Sequence, residues 1–217
     1  MKLLDVDGPI IGFLSNAFDF FMIFLLTVLL SLPVITAGAA MTAGQYVAMK
    51  IMRKEAPKVF PSFFKAFKEN FKQSTIMWVI QLVFIGFLLF DWSFVIQIGW
   101  NNINVIYKAL LILASCVVLF YNMMLYAVIA RFVMNFKDTV KTTMILSLAN
   151  FPFLALTAVI FAGTVFLCIW FFNLLPVFFV IGFTGATAFH GFVTNRACEK
   201  LRKKMEEVNS QEEETEE

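Results

Sequence analysis

Long apolar runs alternate along the chain with short connections that are basic or uncharged in turn. Runs at residues 10–32, 75–96 and 105–130 each have the length of one membrane crossing, about 20 residues. The stretch from Met144 to Val193 has room for two more. A division near Gly163 to Phe166 gives helices at 142–163 and 168–193, with Asn173 and Pro176 in the first turns of the last. Pro33 ends the first run, because its ring removes a donor and crowds the preceding turn. Residues 37–54 then form a short sixth crossing or a helix that stops short. Roughly 16 residues at ~1.5 Å each reach ~24 Å, less than a hydrocarbon core of ~30 Å. Ala40, Gly44 and Ala48 recur at every fourth position, as do Gly182 and Ala186, which predicts flat stripes for close helix contact.

Residues 60–73 break this pattern. Phe60, Phe63, Phe64, Phe67 and Phe71 share one side of a helix, while Lys65, Lys68 and Lys72 lie on another. Pro61 suits a first helical turn. The expectation is a separate amphipathic helix at the inner interface, its ammonium groups facing water or anionic lipid. The plainer alternative packs its rings on the ends of the spans.

Composition settles the broad class. The chain is 60% hydrophobic and 15% charged, where a soluble domain carries about a quarter charged residues. A chain of this size cannot bury that excess, so lipid covers it. The predicted fold is an all-α, polytopic transmembrane bundle of five or six membrane helices plus the interfacial helix, forming one domain over residues 1–204. The acidic stretch 205–217 has nothing to build a core from and is expected to be disordered. The opening MKLLDVDGPII lacks the features of a cleaved signal peptide.

Charge supplies the sidedness. Lys50, Arg53, Lys54, Lys58, Lys65, Lys68 and Lys72 precede the second run, whereas the next connection, GWNNIN, is uncharged. Arg131, Lys137 and Lys141 follow, then an uncharged connection, then Arg196 to Lys204. This alternation places the C-terminus in the cytoplasm of a multi-pass cell-membrane protein. The N-terminus joins it if 37–54 crosses and lies outside if it does not. Trp92, Trp100 and Trp170 fall near outer ends and Trp78 near an inner one, as in an aromatic belt.

Candidate chemistry is sparse. Ionisable groups within spans are costly and therefore functional candidates. Asp19, with Asn16 on the same helix, is the clearest. Asn122 and Tyr126 could line a polar track, together with Tyr121, Gln81, Gln45, Asn150 and His190. For each, the plain alternative is an interhelical hydrogen bond of ~0.6 kcal/mol. Three scattered cysteines and one histidine offer no metal-ligand spacing. Phosphate-loop, serine-elbow and metalloprotease motifs are missing too. No cofactor, metal or catalysis is expected, and the basic loops match topology rather than nucleic acid.

Two stretches together, LPVITAGAAMTAGQYVAMKIMRK and FFKAFKENFKQSTIMW, resemble the YesL-like family of bacterial integral membrane proteins, also called domain of unknown function 624. The matching residues are Leu32, Pro33, Thr36, Gly38, Thr42 and Ala43, then Phe64, Phe67, Asn70, Phe71, Gln73 and Trp78. The resemblance implies a membrane bundle without an established activity, often encoded beside carbohydrate uptake systems. The expected role is an accessory subunit that binds membrane lipids and a permease complex. The alternative is a small transporter or channel working as a homo-oligomer.

Overall fold

The computed structural model describes residues 9–170 and 175–216. Its first hairpin joins α1 (Pro9–Ser31) to α2 (Ala37–Met52) through a 3-10 turn at Val34–Thr36. The Thr36 hydroxyl donates to the carbonyls of Leu30 and Pro33, at 2.6 and 2.8 Å, which closes the turn Pro33 begins. α2 is almost entirely interior: Ala39, Ala40 and Ala43 have no exposed surface. It packs against α1, α3 (Val59–Ile98), α4 (Val105–Arg131) and α7 (Leu175–Glu216). Small side chains make that possible, since backbones can approach on every side.

α3 is one continuous helix of 40 residues. The expected interfacial segment 60–73 and the span 75–96 are therefore not separate elements. Between Pro61 and Gly86 no proline or glycine interrupts the chain, and the end of a lysine run does not stop a helix. The N-terminal half of α3 packs on the first hairpin: Phe63 and Ala66 join Val47, Ala48 and Ile51 in one core cluster. Phe67 is half-buried there, while Phe60, Phe64 and Phe71 stay exposed beside Lys65, Lys68 and Lys72.

α5 (Phe136–Ala149) and α6 (Phe151–Trp170) meet at Asn150, where the axis turns by 82°. This replaces the expected break near Gly163, which lies inside α6. Pro152 is the cause, because it lacks the N–H that would continue α5 and suits the first turn of α6. Asn150 serves both sides of the bend. Its backbone N–H and its side-chain Nδ2 reach the Leu146 carbonyl, and its own carbonyl accepts from Phe153 and Leu154.

Among the described residues, three helices are long and apolar enough to cross a membrane: α1, α3 and α4. The bent pair α5–α6 makes four if it counts as one crossing. α2, at 16 residues, is shorter than a span. Asn173 lies outside the described residues, and so does the side chain of Pro176. The chain is thus an all-α, multi-pass membrane protein. Its acidic end, expected to be disordered, continues α7 as helix to Glu216. Arg202 pairs with Glu206 at 3.1 Å, and the Ser210 hydroxyl bonds back to Glu206 and Glu207, each helical support for a charged segment.

Candidate functional site

A cavity of about 830 Å³ lies at the centre of the bundle, between α1, α2, α4, α6 and α7. Its position follows from how the helices close. Below it, Gly191 of α7 meets Ala48 of α2, where an added Cβ would stand 3.1 Å from Ala48 Cβ. At Gly44 a Cβ would come within 2.6 Å of Thr27 Oγ1 on α1. Ala40 and Ala48 are fully buried on the same helix. Gly182 leaves space for Thr164 of α6, and Ala186 is buried one turn later. The glycines and alanines draw backbones together, and the larger residues between them leave the void.

Four neutral polar side chains converge on this void from three helices: Gln45 of α2, Asn122 and Tyr126 of α4, and His190 of α7. The Tyr126 hydroxyl donates to Gln81 Oε1 at 3.1 Å, so Gln81 supports the cavity from α3. Gln45 Oε1 accepts from Thr194 at 3.2 Å. His190 is buried with its ring bonded to the Met123 backbone, and Nδ1 has no partner among the described residues. Ser31 Oγ, on α1, is buried without a partner in the same cavity. Ser31 was not anticipated from the sequence, because a lone serine in an apolar helix usually bonds its own backbone.

Asn16 and Asp19 are not part of the cavity. Asn16 is exposed and Asp19 half-buried on α1, and neither lines the void. Asn122 and Tyr126 are thus brought together, and the α1 pair stands apart. Asn150 serves the α5–α6 bend. Trp78, read as an inner-belt residue, instead donates from Nε1 to the Val34 carbonyl at 2.6 Å and pins the tip of the first hairpin.

A second polar region closes the basic end. Arg131 of α4 pairs with Glu199 of α7 at 2.5 Å, and Arg202 reaches the other oxygen of Glu199 at 3.3 Å. Arg53 bonds Glu55 at 2.5 Å and Asn195 at 3.4 Å. Lys50 stands 3.8 Å from Glu55. The hydrogen bond from Arg53 holds the Glu55 carboxyl below its ordinary range. These charges are mutually paired and tie the ends of α2, α4 and α7. Among the described residues, no three metal-ligating side chains gather at one point.

The opposite end is aromatic. Trp92 and Trp100 stack with centroids 6.3 Å apart, Trp92 donates to Ser115 at 3.0 Å, and the Lys108 ammonium lies 4.9 Å from the Trp100 ring. Such a group suits a membrane boundary.

No curated protein and no solved structure matches the chain. Residues 20–92 match a family model described as a protein of unknown function, DUF624. The contact between α2 and α3 falls inside that stretch. Gly38 lies against Ser74 and Trp78, and the Thr42 and Ser74 hydroxyls share a hydrogen bond of 2.8 Å. Gln73 extends the contact to α5, donating to Thr139 at 3.0 Å. The chain is thus similar to the DUF624 family over residues 20–92, the stretch that builds the α2–α3 contact.

Proposed function

We propose that the protein is a non-enzymatic accessory subunit that binds a membrane permease complex, in keeping with the carbohydrate-uptake setting its family resemblance implies. One observation carries this reading. The first hairpin ends at Trp78, yet α3 runs on for another twenty residues to Ile98, about 30 Å at ~1.5 Å per residue. Phe84, Phe87, Phe90 and Phe94 form an exposed row along that extension. Apolar helix faces of this size suit a partner helix as well as lipid. In this reading α6 and α7 also cross, which gives five spans, or six with α2. The basic end then faces the cytoplasm together with the C-terminus.

Photoreactive groups placed at Phe87 or Phe90 in living cells test the proposal. The expected adduct joins the protein to a membrane-embedded permease subunit, identified by mass, while a group at Leu14 gives none. Adducts with lipid alone from every position would overturn it.

The cavity favours a second reading, a small transporter or channel acting as a homo-oligomer, because its polar groups come from separate helices near the middle of the bundle. Reconstituted vesicles would then pass a small solute, and His190→Leu would block the flux. Asp19→Asn would leave it intact, since Asp19 does not line the cavity. Vesicles impermeable to every sugar and ion tested would exclude this reading.

A further inference from the structure

We propose that the central cavity is a binding site for a neutral lipid with a hydroxylated head, of the monoacylglycerol type. This goes beyond either role above, since a resident lipid requires neither a partner nor transport.

The chemistry of the lining selects the head. Among the described residues, no Asp, Glu, Lys or Arg side chain borders the cavity. A phosphate or carboxylate placed there would lose its hydration without gaining a counter-charge, a cost of several kcal/mol. A neutral head has no such cost. It meets groups that need partners: His190 Nδ1 and Ser31 Oγ are buried and unbonded among the described residues. With its other nitrogen on the Met123 backbone, the His190 ring offers Nδ1 as an acceptor, which a hydroxyl satisfies by donating. Gln45 keeps its amide N–H groups, since its Oε1 is the atom facing the Thr194 hydroxyl, whose one proton is shared with the His190 and Gly191 carbonyls. These N–H groups suit a hydroxyl or ester oxygen as acceptor. An alkane would leave every one of these atoms unpaired, at roughly 1–3 kcal/mol each.

Shape and surroundings select the tail. The remaining walls are apolar, with Ile23, Val28, Leu119 and Ala162 among them. A volume of about 830 Å³ is at the upper end for small-molecule sites. That is more room than a bare polyol would fill. Val28, Leu32 and Leu119 line the cavity and each keeps a large exposed surface. The wall between α1 and α4 therefore opens towards the region where lipid lies, giving an acyl chain an entry route.

The test uses the full-length protein in phosphatidylcholine vesicles containing a monoacylglycerol with a photoreactive group in its acyl chain. Adducts should map to cavity residues of α1, α4 or α6. Excess unlabelled monoacylglycerol should suppress them, while phosphatidylglycerol or a plain alkane at equal concentration should not. Filling the cavity with Ala162→Trp should reduce labelling at least severalfold. Asn122→Leu should weaken competition by monoacylglycerol roughly threefold to tenfold, the loss of one neutral hydrogen bond. Adducts confined to the exposed faces of α3 and α4 would overturn the proposal. So would equal competition by phosphatidylglycerol or by the alkane. The competition arms use the unaltered protein, so the outcome stands even if a variant fails to fold.

Discussion

The two hairpins of the N-terminal half use opposite packing rules. In α1–α2, eleven of the sixteen residues of α2 are buried, and most are Gly, Ala or Thr. In α3–α4, the half of α3 beyond Gln81 buries only Val95, although it is richer in large apolar side chains. Bulk is therefore a poor guide to burial in this protein. Lipid tails are as apolar as phenylalanine, so nothing drives large side chains inward, and close backbone approach gains more from small ones. In the first hairpin α2 is a scaffold enclosed by protein, while α1 keeps an exposed face with Leu14, Phe18 and Leu29. The second is a surface, fastened at its far end by Trp92, Trp100 and Ser115.

One substitution applied to both hairpins should break the symmetry most visibly. At Gly38 a Cβ would lie 2.6 Å from Trp78 Cβ and 2.7 Å from the Ser74 carbonyl, and the carbonyl is backbone that cannot swing aside. Gly38→Leu is expected to cost about 3 kcal/mol or more, the range of severe overpacking, and to abolish monodisperse protein in detergent. At Gly86, on the α3 extension, nothing lies within 4 Å of the same position. Gly86→Leu should leave the fold intact and raise helix stability by up to ~1 kcal/mol. Equal thermal midpoints for the two variants would remove the distinction between scaffold and surface.

The basic end should respond next. Arg131 and Glu199 are both largely covered and lie on different helices. Arg131→Gln should cost roughly 1–3 kcal/mol, the range for a charge-assisted bond whose partner is left behind. The double variant with Glu199→Gln should recover part of that loss. Measured melting that shows simple additivity would mean the pair is not coupled.

A smaller effect separates the hydroxyls. Thr42→Val removes the buried bond to Ser74 and should cost about 1 kcal/mol. Ser93→Ala, where the hydroxyl bonds only its own helix at Phe90 in an exposed setting, should change the midpoint by under ~0.5 kcal/mol.

These contrasts also mark what could be read along the chain. The apolar runs of α1, α3 and α4 were plain from length and hydropathy. The continuity of α3 is legible in the absence of a proline or glycine between Pro61 and Gly86, but the change from lysine-rich to apolar composition resembles an element boundary. The bend at Asn150 has a local signal in Asn-Phe-Pro, but the apolar composition runs unbroken across it and masks the break. Individual polar residues of the cavity stood out, yet their convergence did not: Gln45, Asn122 and His190 lie on three helices, and no spacing relates them. A charge in a span is rare, which makes Asp19 conspicuous in the sequence, yet it does not line the cavity. The Arg131–Glu199 pair joins residues 68 apart, a contact no local pattern encodes.

The smallest effect concerns Glu55, in the turn between α2 and α3. Arg53 donates to its carboxylate, which lowers the folded-state pKa below the ordinary value of 4.5. A lowered value means that folding favours the charged form. The contribution is fully present above pH ~4.5, the unfolded value, and is lost as pH falls through the folded value. Because the Glu55 side chain is 42% exposed, water and salt screen the pair, and the gain should stay under ~1 kcal/mol. Melting followed from pH 7 to pH 3 should therefore show a slightly steeper loss for the wild type than for Glu55→Gln, confined to the acid end of the scan, with high salt narrowing the gap. A Glu55→Gln curve parallel to the wild type throughout would mean that Arg53 is held by Asn195 alone, and that the turn gains nothing from its charge.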